Sequence, residues 1–233
     1  MNDVWRFAGR IREAIGNPRE VFTYLIRKRE VSRLTKVPMP KLRAYYGEFQ
    51  IFAEIHEGAR AADWPIGWAE DLYVIIRALS PEVVVETGVC HGMSSTAILG
   101  ALNRNGHGEL FSIDAPNLDP LAMLPPGKEP GWIIPERLKS QWRLHIGLSK
   151  EILPRLLEEL PPIDVFLHDS EHSYENMIFE FRAAFSHLKP GGVLLSDDTT
   201  WNSAFSDFVS ESGISRTHTI RHPNIKAIRK VDT

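Results

Sequence analysis

The chain has 233 residues, 43% of them hydrophobic, a formal net charge of −3 and a single cysteine, Cys90. Such a length buries a full core without staples, one thiol excludes an internal disulfide framework or a thiolate metal cluster and fits a reducing, cytoplasmic setting, and no apolar run approaches the ~18 residues of a membrane span. Charge is unevenly placed, because residues 1–45 hold eleven Lys and Arg against four Asp and Glu, a basic segment of +7 ahead of an acidic remainder of −10.

Asp3, Arg6 and Arg10 stand where a secretory signal would need an apolar core. Val4, Ala8, Ile11 and Ile15 follow helical spacing. Asn17-Pro18-Arg19-Glu20 then reads as a cap, with proline at the first helical position, before a second amphipathic helix over 21–33. Pro38 and Pro40 interrupt the pattern, and 41–60 resumes as one helix carrying Tyr45, Phe49, Phe52 and Ile55. Residues 1–65 thus read as a helical cap or oligomerisation segment that covers a pocket, builds a homodimer or touches an anionic surface. Their mixed charge and helical aromatic spacing argue against nucleic-acid binding.

From residue 68 the periods alternate: helix 68–79, strand 83–85, helix 94–102, an Asn105-Gly106 turn and strand 110–113. A long irregular stretch, 115–135, contains six prolines and Trp132; it reads as a lid whose tryptophan faces Trp201-Asn202 across an acceptor pocket, or as a surface loop with one buried indole. Strand 142–146, helix 150–160 and strand 163–167 follow. The next helix aligns Tyr174, Met177, Ile178, Phe181, Phe185 and Leu188 on one stripe and ends at Lys189-Pro190-Gly191-Gly192. Strand 193–196, a short helix over 201–210 and a hairpin of 215–220 with 225–231 complete the chain. The alternation predicts an α/β domain over 66–233: a doubly wound, Rossmann-like, seven-stranded and mostly parallel sheet with a C-terminal antiparallel hairpin, preceded by the N-terminal helices. Ligands of such sheets sit beyond the carboxyl ends of the strands.

Chemistry-bearing residues fall at those ends. The first strand runs into Glu86-Thr87-Gly88-Val89-Cys90-His91-Gly92, where Gly88 and Gly92 permit a sharp turn and close ligand approach to the amides opening the helix at Ser94, or simply make an ordinary strand-to-helix turn. Glu86 adds an acid suited to an ammonium group. Asp114 ends the second strand, where a carboxylate accepts both hydroxyls of a ribose, or is simply a solvated strand-end residue. Gly147-Leu148-Ser149 ends the third, as an adenine-edge loop or with Ser149 as a helix cap. Together these residues resemble the class I S-adenosylmethionine-dependent methyltransferases. The resemblance implies cofactor contacts from Glu86, Gly88, Cys90, Gly92, Ser94, Asp114, Gly147, Leu148, Ser149 and Asp169, with Cys90 standing where the family's middle glycine is usual.

The fourth strand ends in His168-Asp169-Ser170-Glu171-His172-Ser173-Tyr174 and the fifth in Asp197-Asp198. On neighbouring strands Asp169 and the aspartate pair converge, and such carboxylates repel unless a cation or proton intervenes, or else they cap the following helices. All-oxygen ligands favour magnesium, with calcium or manganese as other hard ions. The segments Asp169-Ser170-Glu171-His172-Ser173-Tyr174 and Gly191-Gly192-Val193-Leu194-Leu195-Ser196-Asp197-Asp198 resemble the metal-dependent O-methyltransferases that act on sugar or natural-product hydroxyls. That resemblance implies a metal on Asp169, Asp197 and Asp198, His172 as the catalytic base working beside Asp169, and a small-molecule hydroxyl as acceptor. His168 reads as structural. An inverted zinc-protease reading of His168 to His172 needs both imidazoles on one helical face, and the strand running into His168 denies it. A nicotinamide oxidoreductase shares the β-α-β unit, but Ile178 stands where the tyrosine-lysine pair of short-chain dehydrogenases would need lysine. A metal-independent methyltransferase is the remaining variant.

Overall fold

The strand Val83–Thr87, β1, is buried at every position, as a parallel strand covered on both faces must be. In the computed structural model, which describes residues 18–50, 52–63, 65–116, 124–221 and 224–231, β1 lies between β2 (Glu109–Asp114) and β4 (Ile163–His168). The strand β3 (Trp142–Ile146) extends the sheet beyond β2, and β5 (Leu188–Ser196) extends it beyond β4; all five are parallel. An antiparallel β7 (Ile225–Arg229) pairs with β5, and β6 (Thr217–Arg221) pairs antiparallel with β7. The order β3-β2-β1-β4-β5-β7-β6 reverses direction between β1 and β4, where a doubly wound sheet opens its ligand crevice.

Alternation along the strands sorts two cores. Val84, Val165, Val193 and Leu195 face α1 (Pro18–Thr35), α2 (Met39–Gln50), α3 (Ala53–Ala62), α4 (Ala69–Leu79) and α5 (Met93–Asn105), which contribute Leu34, Phe49, Ile55, Ile75 and Ile98 among others. Val83, Val85, Phe166 and Leu194 face α6 (Ser149–Glu159), α7 (Tyr174–His187) and α8 (Ala204–Ser212) through Leu153, Phe181 and Phe205. The expected architecture is therefore present, with helices on both faces. Among the described residues no helix is long and apolar enough to cross a membrane. The expected helix over 4–15 lies outside the described residues, as do Asn17, Pro120 and Pro223.

Two boundaries differ from the sequence pattern. The single helix expected over 41–60 is two, parted at Phe52, whose backbone leaves the helical region (φ −77°, ψ 83°). The break turns the Phe52 ring onto α5 where Gly100 leaves room; a Cβ there would sit 2.5 Å from the ring, which also meets Phe49 and Tyr73. Aromatic burial offsets the broken turn. Likewise β5 begins at Leu188 rather than Val193: Lys189-Pro190-Gly191-Gly192 bulges between the pairs Ile163 with Leu188 and Val165 with Val193. Backbone bonds of Gly191 and Gly192 to Lys230 hold the bulge to the end of β7.

Candidate active site

The turn leaving β1 carries three left-handed residues, Gly88 (φ 86°), Cys90 (φ 47°) and Gly92 (φ 97°). Cys90 stands at the expected glycine position and still adopts the conformation that favours glycine, at a cost of roughly 1–2 kcal/mol. Gly88 is fixed by close approach as well: a Cβ would lie 1.8 Å from the Asp169 carbonyl oxygen, so the ends of β1 and β4 touch. Beneath the turn, Asp114 Oδ2 accepts the amides of Val89 (2.6 Å) and Cys90 (2.8 Å). Its carboxylate thus shapes the turn. Gly147 N donates to the Asp114 carbonyl at 2.9 Å, placing the loop after β3 beside it.

Glu86 has no accessible surface. Its carboxylate accepts the hydroxyls of Ser112 (2.7 Å), Ser94 (3.2 Å) and Ser95, and burial raises its pKa to about 7. The sequence places Glu86 beside a ligand; the structure places it under the turn, tying β1, β2 and the start of α5 together. Ser149 is the first residue of α6 with Leu148 at the cap, and its hydroxyl reaches Asn176 Oδ1 at 3.2 Å, so the capping role does not hold.

The buried acid has a measurable consequence. A carboxyl pushed up to about 7 in the folded protein from an ordinary value of 4.5 contributes stability that is complete below the unfolded pKa and is lost as pH rises through the folded one. Glu86→Gln should remove that loss, so the difference between variant and parent in urea unfolding should move by about 2–3 kcal/mol between roughly pH 4 and pH 8. Parallel pH profiles would show instead that the three hydroxyls keep Glu86 ionised throughout.

At the next strand ends, Asp169 N donates to Thr87 O (2.9 Å) and Asp197 N to His168 O (3.0 Å), which aligns the carboxylates of β4 and β5. Crowding by protein, then the charges of Asp197, Glu86 and Asp198, push the Asp169 carboxyl well above its ordinary range, although the residue keeps some exposure to the crevice. Burial likewise raises Asp197, with Asp198 adding to it. Asp198 is itself left-handed (φ 45°). His172 Nε2 lies 3.9 Å from Asp198 Oδ2, and its ring lies 5.0 Å from that of Trp201, which is 56% exposed. Asp169, Asp197, Asp198 and His172 are therefore gathered in one crevice. Among the described residues no three His, Cys, Asp or Glu side chains converge into a ready-made metal cage.

Several supporting residues escape sequence reading. Asn202 Nδ2 donates to the His172 carbonyl at 2.9 Å, and Asn224 Nδ2 to Asp198 Oδ1 at 3.1 Å. Thr199 donates both its amide (2.9 Å) and its hydroxyl (2.6 Å) to the Asn224 carbonyl, so the β6–β7 turn braces the aspartate pair. His168, read as structural, is buried and pairs through Nδ1 with Glu180 Oε2 at 2.7 Å. Although burial would raise Glu180, this imidazole and the hydrogen bonds around the carboxyl hold it below its ordinary range. A carboxylate on the otherwise apolar face of α7 was the signal available for it.

Comparison with known proteins fits this geometry. No curated protein matches the sequence. Three solved structures share the fold: an O-methyltransferase from Bacillus cereus in complex with S-adenosylhomocysteine (17% identity, 76% of this chain and 91% of that one, TM-score 0.54); the O-methyltransferase TomG from Streptomyces achromogenes, involved in tomaymycin synthesis, in complex with S-adenosylmethionine (17%, 76% and 88%, 0.55); and the MycE methyltransferase of the mycinamycin pathway in complex with magnesium, S-adenosylhomocysteine and mycinamycin VI (16%, 76% and 55%, 0.53). A family described as a methyltransferase domain matches residues 85–199, the span from β1 through the aspartate pair. Residues 85–199 thus resemble a methyltransferase domain, and the chain shares its fold with these three structures.

Proposed function

We propose that this protein is an O-methyltransferase that moves the sulfonium methyl of S-adenosylmethionine to a hydroxyl of a small molecule, a sugar or a natural product, with magnesium assisting. The observation that carries the reading is the contact between the β1 turn and the β4 end: Gly88 abuts Asp169, so a cofactor on the turn would present its methyl beside Asp169, His172 and the aspartate pair. The cofactor would rest on residues 88–92, with its ribose at Asp114 Oδ1 and its adenine near Gly147 and Leu148. In this reading residues 66–233 are the catalytic domain and 1–65 its cap.

The acceptor oxygen attacks the methyl carbon, the carbon–sulfur bond breaks as the oxygen–carbon bond forms, and S-adenosylhomocysteine leaves as a neutral thioether. His172 takes the hydroxyl proton, and Asp198 steadies the resulting imidazolium. Orientation of acceptor and methyl in line accounts for much of the rate. The three aspartates suit a hard cation chemically: each offers carboxylate oxygens, and Asp169 and Asp197 are raised in part by the negative charge of their neighbours. Asp169, Asp197 and Asp198 would hold magnesium, which supplies Lewis acidity toward the acceptor hydroxyl when bound.

Calorimetry of the full chain tests the cofactor class directly. S-adenosylhomocysteine should bind at micromolar or tighter affinity and NADH should give no heat of binding. The reverse result would move the protein to the nicotinamide oxidoreductases, which share the β-α-β unit.

A further inference from the structure

The β1 turn is held from above as well as below. Gly131 N donates to Cys90 O at 2.9 Å and Ile133 N to His91 O at 3.3 Å, so two carbonyls on the outer edge of the turn are taken by the strap that follows the proline-rich stretch. A side-chain bond joins the same partners: Trp132 Nε1 donates to His91 Nδ1 at 2.9 Å, with the rings edge-on at 5.9 Å. An indole N–H only donates, so Nδ1 supplies the lone pair. Packing leaves the strap little slack. A Cβ on Gly92 would lie 2.7 Å from Gly131 Cα, and one on Gly131 would lie 2.4 Å from the Trp142 ring.

We infer that the strap segment 131–134 clamps the cofactor turn, with Trp132 as a positioning residue that latches it through His91 and slows exchange of the nucleoside cofactor. The inference rests on the cofactor reading above. Asp114 fixes the inner amides of the turn, and the strap fixes its outer carbonyls. The left-handed Cys90 between them is a strained residue kept in place from both sides. Opening the strap would free the Cys90 and His91 carbonyls together and let the turn relax around an entering or leaving ligand. Trp132 thereby has a role other than facing Trp201.

Trp132→Phe keeps an aromatic ring, smaller than the indole, and deletes the N–H. Stopped-flow displacement of bound S-adenosylhomocysteine by excess S-adenosylmethionine should show dissociation about fivefold faster in the variant, the effect of one lost hydrogen bond. Hydrogen exchange of the cofactor-free protein gives a second readout: the amides of Gly131 and Ile133 should exchange faster in Trp132→Phe, while those of β4 stay unchanged. Unaltered dissociation, or unaltered exchange at 131–133, overturns the clamp even if S-adenosylhomocysteine binds the parent protein well. Failure of the parent to bind S-adenosylhomocysteine overturns the cofactor reading, and with it the clamp.

Discussion

Gly88→Ala should cost about 4 kcal/mol of stability and abolish binding of S-adenosylhomocysteine. Two penalties combine. The left-handed backbone (φ 86°) disfavours any Cβ by roughly 1–2 kcal/mol. The new methyl would also lie 1.8 Å from the Asp169 carbonyl oxygen and 2.4 Å from its carbon, and backbone at that point is not free to yield. Asp169 N is bonded to Thr87 O, and Gly88 N to Ile113 O, each at 2.9 Å. Separating β1 from β4 to admit a methyl would therefore disturb β2 as well. Gly106 is the control, with nearly the same backbone (φ 84°) and nothing within 4 Å of its virtual Cβ. Gly106→Ala should lose only about 1 kcal/mol. Urea unfolding of both variants isolates the clash, and equal losses would refute the close approach on which the site is built.

That close approach marks where sequence reading stops. The strands were legible because a parallel strand buried on both faces is a continuous apolar run, and Val83-Val84-Val85 can hardly be anything else. The acids at the strand ends were legible because ionisable residues directly after such runs sit at the crevice. Partnership was not. Glu86 looks like a ligand-facing acid until Ser112, 26 residues away, and Ser94 and Ser95 are seen to bond its carboxylate. Asn224 hides in a turn, where asparagine is ordinary, yet it braces Asp198. Cys90 departs from the glycine pattern in identity and keeps its left-handed conformation (φ 47°), which residue type alone does not reveal. The division of 41–60 at Phe52 followed from the space Gly100 leaves on α5, a tertiary fact that helical spacing does not encode.

Asp169→Asn should separate stability from activity. Under the proposed function the carboxylate is one of the groups that would hold magnesium beside the acceptor, and its loss should lower transfer to an identified hydroxyl acceptor by roughly a thousandfold or more. Affinity for S-adenosylhomocysteine should largely survive, since the turn keeps its shape through the Asp169 backbone, which the substitution leaves alone. Stability should rise. Protein crowding and the charges of Asp197, Glu86 and Asp198 push the Asp169 carboxyl well above its ordinary range, so its ionised form is disfavoured in the folded state. A group raised in this direction gives stability that is complete below its unfolded pKa and is lost as pH rises through the folded one. Asparagine does not ionise, so its advantage should be small in acid and grow with pH, reaching about 1 kcal/mol in metal-free buffer near neutrality. Magnesium should narrow the gap by raising the melting temperature of the parent and leaving that of the variant unchanged. A variant that melts below the parent at every pH would show that Asp169 is held by hydrogen bonds rather than crowded by like charge. Retention of full transfer would remove it from the chemistry and leave His172, Asp197 and Asp198 to carry the proposed reaction.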